Sequence, residues 1–217
     1  KENKGKSKTR LAINSNLGME FDVVKRAIDA CEGVDLDIYT SNESLNNHAE
    51  YIRDGLIWGQ WFYNMKKIME SKRLRGLHVM CTINALCLES LPEFLDQLMK
   101  WKNQYGRDYP NFTLNILRFP SFQSPLVLPY EFRELYMLTI REWLTRNRNS
   151  SLLHEHEINH AQRLIDYLDV VKTPHSDAFD LPKLLNDFRQ FYRQYDQRRN
   201  KNFTETFPKL KEWYNSL

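Results

Sequence analysis

Residues 34–39 read Val-Asp-Leu-Asp-Ile-Tyr, and the fold turns on their strict alternation. Val34, Leu36 and Ile38 fall on one side of an extended chain and Asp35 and Asp37 on the other, the period of two that marks a β-strand. A polar stretch, residues 40–47, follows, and an aromatic-rich helix is expected from near His48 towards Glu70. The same unit repeats in both directions. Upstream, Leu11-Ala12-Ile13-Asn14 is an apolar run closed by Ser15-Asn16-Leu17-Gly18, and residues 21–31 space Phe21, Val24, Ile28 and Cys31 as one helical face. Downstream, residues 77–83 (LHVMCTI) predict a strand, 84–89 a loop and 91–102 a helix with Pro92 in its first turn. A fourth strand is predicted at 113–117. It runs into 118–129, whose three prolines forbid regular structure. Helices are then expected at 130–146, 154–171, 181–195 and 207–216.

Strands alternating with helices predict parallel βα units, an α/β fold. The expected organisation is a basic flexible tail at 1–10, a βα-layered unit at 11–129 and a helical region at 130–217. A parallel sheet wants both faces covered and both edges managed, yet only a solvated tail precedes Leu11. The expectation is that either another chain supplies further strands along Leu11, Ala12, Ile13 and Asn14, or the chain is a fragment.

Composition removes several function classes. The chain has 31 Lys and Arg against 28 Asp and Glu, a net charge of +3. The first ten residues alone carry five basic groups and one Glu, so the body is close to neutral, which argues against an electrostatic grip on duplex DNA. Seven glycines form neither GxGxxG nor GxxxxGK, excluding a glycine-built nucleotide cradle. Mean hydropathy is −0.64, no membrane-length apolar run exists, and residues 1–10 are no secretory signal. Cys31, Cys81 and Cys87 lack CxxC spacing, which points to a reducing cytoplasm.

Ligands in parallel α/β sheets sit outside the carboxyl ends of the strands. Those ends carry Ser15-Asn16, Thr40-Ser41-Asn42-Glu43, Thr82-Ile83-Asn84 and Arg118. Arg53, twelve positions beyond Ser41, could join that hydroxyl in clamping a carboxylate, or pair with Glu50 on a solvated helix face. His156-Glu157-Ile158-Asn159-His160 matches HExxH, the helical motif of zinc hydrolases, but no third ligand follows. An exposed polar helix face is the competing reading. Trp58, Trp61, Phe62 and Tyr63 read as core against the sheet. Arg189, Arg193, Arg198, Arg199 and Lys201, interleaved with Phe188, Phe191, Tyr192 and Tyr195, read as a solvated helix or as a contact for nucleic acid or an acidic peptide.

Tyr39-Thr40-Ser41-Asn42-Glu43, followed by Ala49-Glu50-Tyr51-Ile52-Arg53-Asp54-Gly55-Leu56-Ile57-Trp58, resembles the fourth-strand segment of the twitch-domain group of radical S-adenosylmethionine enzymes. LAINSNL at 11–17 is similar to the group's third strand and NILRFPSFQSPLVLP at 115–129 to its sixth. QYDQRR at 194–199, with Asn202-Phe203, Phe207-Pro208 and Glu212-Trp213-Tyr214, is similar to its C-terminus. The resemblance implies the second half of a partial (β/α)6 barrel followed by a helical region. It implies Ser41 and Arg53 on the methionyl carboxylate of S-adenosylmethionine, Asn16, Thr82, Asn84 and Leu117 around the rest of that cofactor, and Glu43 and Arg118 towards a substrate that could be peptide, nucleic acid or metabolite. The CxxxCxxC that holds the group's [4Fe–4S] cluster is absent, so the cluster would come from the other half of the barrel, and this chain alone would be inactive. A non-catalytic binding module derived from such a barrel is the alternative of a different class.

Overall fold

The computed structural model describes residues 9–170 and 180–217. Four strands, β1 (Arg10–Asn14), β2 (Asp35–Ser41), β3 (Gly76–Ile83) and β4 (Asn111–Ile116), form one parallel sheet in the order β1-β2-β3-β4, and the sheet does not close. Each strand leads to the next through helix: α1 (Phe21–Ala30), then α2 (Asn46–Ile52) with α3 (Trp58–Ser71), then α4 (Leu91–Tyr105). Two short 3₁₀ turns at Ser121–Gln123 and Pro125–Val127 lead into α5 (Tyr130–Asn147), α6 (Glu155–Leu168), α7 (Leu181–Arg199), α8 (Phe203–Thr206) and α9 (Lys211–Ser216). No helix among the described residues is long and apolar enough to cross a membrane.

The four strands appear where the periodicity puts them, but β2 runs on through Ser41 and β4 begins two residues early, at Asn111. Two expectations need correction. The helix expected from His48 to Glu70 is two, because Gly55 takes a positive φ of 80° and the chain between Arg53 and Ile57 leaves helical geometry. The basic tail expected at 1–10 falls outside the described residues, apart from Thr9 and Arg10; the latter opens β1.

The two faces of the sheet differ. Leu36, Ile38, Leu77, Val79, Cys81, Ile83, Phe112 and Leu114 are buried in one core with α1, α3 and α4, and Trp61 Nε1 donates to Thr40 Oγ1 (3.0 Å) to tie α3 to that face. On the opposite face Tyr39, Ser41, His78, Thr82 and Thr113 are only partly buried, and Met80 and Asn115 are exposed. A parallel sheet ordinarily carries helices on both sides; here one side is bare among the described residues. At its lower end Asp37 is held by Arg75, and His78 stacks on Tyr39 at 4.4 Å. Gly76 fits between them because a Cβ there would meet Asp37 Oδ1 and His78 Nε2, each at 2.6 Å.

The two edges differ as well. Along β1, Ser15 N–H donates to Tyr39 O and Thr9 O accepts from Asp35 N–H, so odd-numbered residues face β2. By the alternation of a strand, the peptide groups of Arg10, Ala12 and Asn14 point outwards, and four of the five β1 residues, with Leu11 40% exposed, are open to water. The β4 edge is closed by α6. Glu157 Oε1 accepts from Phe112 N–H (3.0 Å), His160 Nδ1 accepts from Leu114 N–H (2.9 Å), and Arg163 donates to Leu114 O (2.8 Å). Glu157 is fully buried, pairs with the equally buried Lys102 (3.0 Å) and accepts from His154 N–H (2.9 Å) as a capping box. The HExxH stretch is therefore only partly the exposed face expected: His156 and Asn159 are exposed, while Glu157 and His160 are spent on the amides of β4 and stand in for a fifth strand.

Candidate functional site

Above the carboxyl ends of β2, β3 and β4 lies a cavity of about 230 Å³ lined by Glu43, Ile52, Arg53, Thr82, Asn84, Leu117, Gln123 and Tyr192. Five of the eight residues expected at a site (Glu43, Arg53, Thr82, Asn84 and Leu117) meet here. Each is brought by a different local device. Glu43 follows β2 through Asn42, whose Oδ1 accepts from the N–H groups of Glu43 (2.9 Å) and Ser44 (3.3 Å) and turns the chain inwards. Asn84 ends β3 in the same manner: its Oδ1 accepts from Leu86 N–H (2.9 Å) and Cys87 N–H (3.2 Å), and its Nδ2 donates to Thr82 O (3.1 Å). Leu117 is fixed by its N–H on Ile83 O (2.8 Å).

Arg53 ends α2 in extended geometry, which releases its side chain from the helix surface. It does not pair with Glu50, whose Oε1 instead accepts from Trp58 N–H (2.8 Å). The guanidinium donates through Nε (3.1 Å) and Nη2 to Glu43 Oε2, which also accepts from Thr82 N–H (3.3 Å). Glu43 is almost wholly buried, and burial pushes its carboxyl pKa up, with the Arg53 charge pulling the other way. Arg53 keeps 27% of its side chain exposed, and its Nη1 has no protein partner among the described residues. The cavity thus holds a neutralised pair with one guanidinium edge left over, able to take an anionic or carbonyl oxygen.

The other expected residues lie elsewhere. Ser41 sits half-buried on the bare face of the sheet, in register with Met80, and does not line the cavity. Asn16 is exposed, its Oδ1 accepting from Gly18 N–H (3.0 Å). Arg118 is exposed, with its guanidinium 5.9 Å over the Tyr167 ring. The residues that sequence reasoning missed are Ile52, Gln123 and Tyr192. Tyr192 arrives on α7, where its hydroxyl accepts from Gln123 Nε2 (3.4 Å). The aromatic stripe of α7 was the available signal, but nothing in it distinguishes a cavity wall from core.

The C-terminal segment works as a brace for α2. Asp196 accepts from Tyr51 Oη–H (2.7 Å) and Phe203 N–H (2.8 Å), and Tyr195 Oη–H donates to Tyr51 O (2.7 Å). Arg199 and Lys201 both pair with Asp54 (3.0 and 3.4 Å), so they are intramolecular partners first. Trp61 is core as expected, whereas Tyr63 is 47% exposed and is not.

Cys81 and Cys87 are free and buried, and burial pushes both thiols up, which keeps them protonated. Among the described residues no group of three His, Cys, Asp or Glu side chains could hold a metal ion. Compared with family models, curated proteins and solved structures, the chain matches none.

Proposed function

We propose that this chain is the C-terminal, cofactor-facing part of a radical S-adenosylmethionine enzyme. It would be the second half of a partial (β/α)6 barrel, completed at β1 by the other half of the barrel or by a second subunit, and would work in the cytoplasm. The observation that carries the reading is the cavity at the carboxyl ends of β2, β3 and β4, with an Arg53 edge unspent, beside a parallel sheet of which one face and the β1 edge have no cover among the described residues. The residues fit S-adenosylmethionine in part. Arg53, with Ser41, would hold the carboxylate, and Thr82, Asn84 and Leu117 would face the ribose and adenine. At about 230 Å³ the cavity is below the usual ligand-pocket size of about 300–1,000 Å³, so the remaining wall would belong to the missing strands. When bound and reduced, that cofactor supplies a 5′-deoxyadenosyl radical. The cluster that reduces it does not fit this chain, because Cys81 and Cys87 are sealed in the core and far from a ligating arrangement.

The test is anaerobic reduction of the assembled protein, this chain with its complementing half, in the presence of S-adenosylmethionine. Release of 5′-deoxyadenosine, reduced at least tenfold by Arg53→Ala, is the expected result. A cluster-loaded assembly that releases none would overturn the proposal. The reading of a different class, a non-catalytic docking module, is favoured by the full engagement of Glu43 with Arg53. It predicts an assembly that forms normally with Arg53→Ala and never consumes S-adenosylmethionine.

A further inference from the structure

Phe119 is 85% exposed, more than any other large apolar side chain among the described residues. Burying such a ring is worth about 1.5–3 kcal/mol, and this one stands on the loop after β4, between the cavity-lining residues Leu117 and Gln123. Its surroundings form a series of rings. Phe122 lies 5.1 Å from Phe191, and Phe191, itself 38% exposed, stacks on Tyr195 at 5.9 Å with an interplanar angle of 18°. The row runs along α7 from the Tyr192 wall of the cavity to its last turn. Cations stand at both ends. Arg118 precedes Phe119, and Arg198 follows Tyr195 by three residues, on the same stripe of the helix. Both are exposed, and neither has a carboxylate within ion-pair distance among the described residues. Of the other basic side chains of this stretch, Arg199 and Lys201 are held by Asp54, whereas Arg189 and Arg193 are exposed like Arg198.

Two exposed rings, Phe119 and Phe191, with the half-buried Phe122 and Tyr195 beside them and exposed guanidinium groups at either end, are what a single nucleic-acid strand binds: bases stack on the rings and phosphates meet the cations. An acidic peptide would use the cations and leave the rings idle. The near-neutral body of the chain also fits a few contacts to a short strand and not a grip on duplex. We propose that the rim of the cavity binds single-stranded nucleic acid through Arg118, Phe119, Phe122, Phe191 and Arg198, and that the cavity receives one nucleotide of that strand. The choice of the cavity as reaction site rests on the function proposed above; the binding surface does not.

Fluorescence anisotropy with a labelled octathymidylate at 50 and 200 mM salt tests it on the 217-residue chain. The expected results are binding at 50 mM salt and a loss of about 5- to 100-fold with Phe119→Ala, as for removing one stacking platform. With Arg118→Ala the slope of log K against log salt should fall by about 0.7. Both side chains are exposed, so neither variant threatens the fold. No binding at 50 mM salt would overturn the proposal, and so would binding that neither substitution weakens. Octaglutamate binding as tightly as the oligonucleotide, with Phe119→Ala without effect, would overturn it in favour of an acidic peptide. The assay involves no S-adenosylmethionine, so failure of that chemistry and failure of this surface are read separately.

Discussion

Glu43 carries the energetic tension of the site. Its carboxyl is buried with Arg53 as its cation among the described residues, and desolvation holds its pKa above the ordinary carboxylate value. A group whose folded pKa is raised takes up a proton on folding as pH falls, so acidification towards that pKa stabilises the native state. Removing the guanidinium enlarges the effect. Arg53→Ala is expected to lower stability by about 1–3 kcal/mol at neutral pH, with the loss shrinking as pH is lowered from 7 towards 5; urea titrations across that range measure it. Gly76→Ala makes a sharper case. The added methyl would meet Asp37 Oδ1 and His78 Nε2, and an overpacking cost of about 1–3 kcal/mol should appear as a melting temperature several degrees lower. At this scale the sequence was informative about residue type and poor about partner. Arg53 was expected at the strand ends and does line the cavity there, but its engagement with Glu43, ten positions upstream, goes with the break in the helix at 53–57 around Gly55, which a periodic pattern of apolar residues does not reveal.

The pairing of α6 with β4 is the element whose nature the sequence concealed most completely. A helix with Glu157, His160 and Arg163 at intervals of three reads as polar and therefore as wet, or, because of His156, as metal-binding. The alternative, side chains spent on the amides of an edge strand, requires knowing that β4 is last in the sheet. Two outcomes follow. Glu157→Ala strands the buried Lys102 and two backbone amides, and a loss of about 3–5 kcal/mol is expected in equilibrium unfolding; treatment of the native protein with a chelator should leave its melting temperature unchanged. His160 accepts a hydrogen bond at Nδ1, and burial, with Arg163 and His156 nearby, lowers its pKa. A depressed base contributes stability above its unfolded pKa of about 6.5 and loses it as pH falls through the folded value. A lower protection factor at Leu114, with exchange compared to the intrinsic rate at the same pH, is the expected signature on acidification below the unfolded pKa of about 6.5, and at all pH values in His160→Ala.

For the whole molecule, the alternation of residues 34–39 held more than a strand assignment. Buried parallel strands are ordinarily apolar throughout, and the aspartates at 35 and 37 break that pattern, although Asp37 is itself buried and held by Arg75. The sheet order β1-β2-β3-β4 follows the chain, and the alternation of strands with helices was legible. The approach of α7 to the strand ends was not, because it rests on contacts between residues about seventy to one hundred and fifty positions apart, such as Gln123 with Tyr192 and Tyr51 with Asp196. The outward peptide groups of β1 give the completion hypothesis a selective test. Ala12→Pro removes only an N–H that faces away from β2, a place where edge strands tolerate proline. Size-exclusion chromatography should find the variant folded but unable to associate with its complementing half, whereas Ile13→Pro, which breaks the bond to β2, should also lower the melting temperature.

The closure of β4 by a helix also limits how long that strand can be. Three residues of α-helix advance about 4.5 Å, whereas two residues of strand advance about 6.6 Å, so the two elements fall out of step by about 2 Å at each successive contact. Glu157, His160 and Arg163 absorb the drift through side chains of different reach, and by the third contact Arg163 has already returned to Leu114, the residue His160 serves. A helix can shadow a strand for only about two rungs before its timing is lost, and a strand of six residues is near the greatest length that such a guard can accompany.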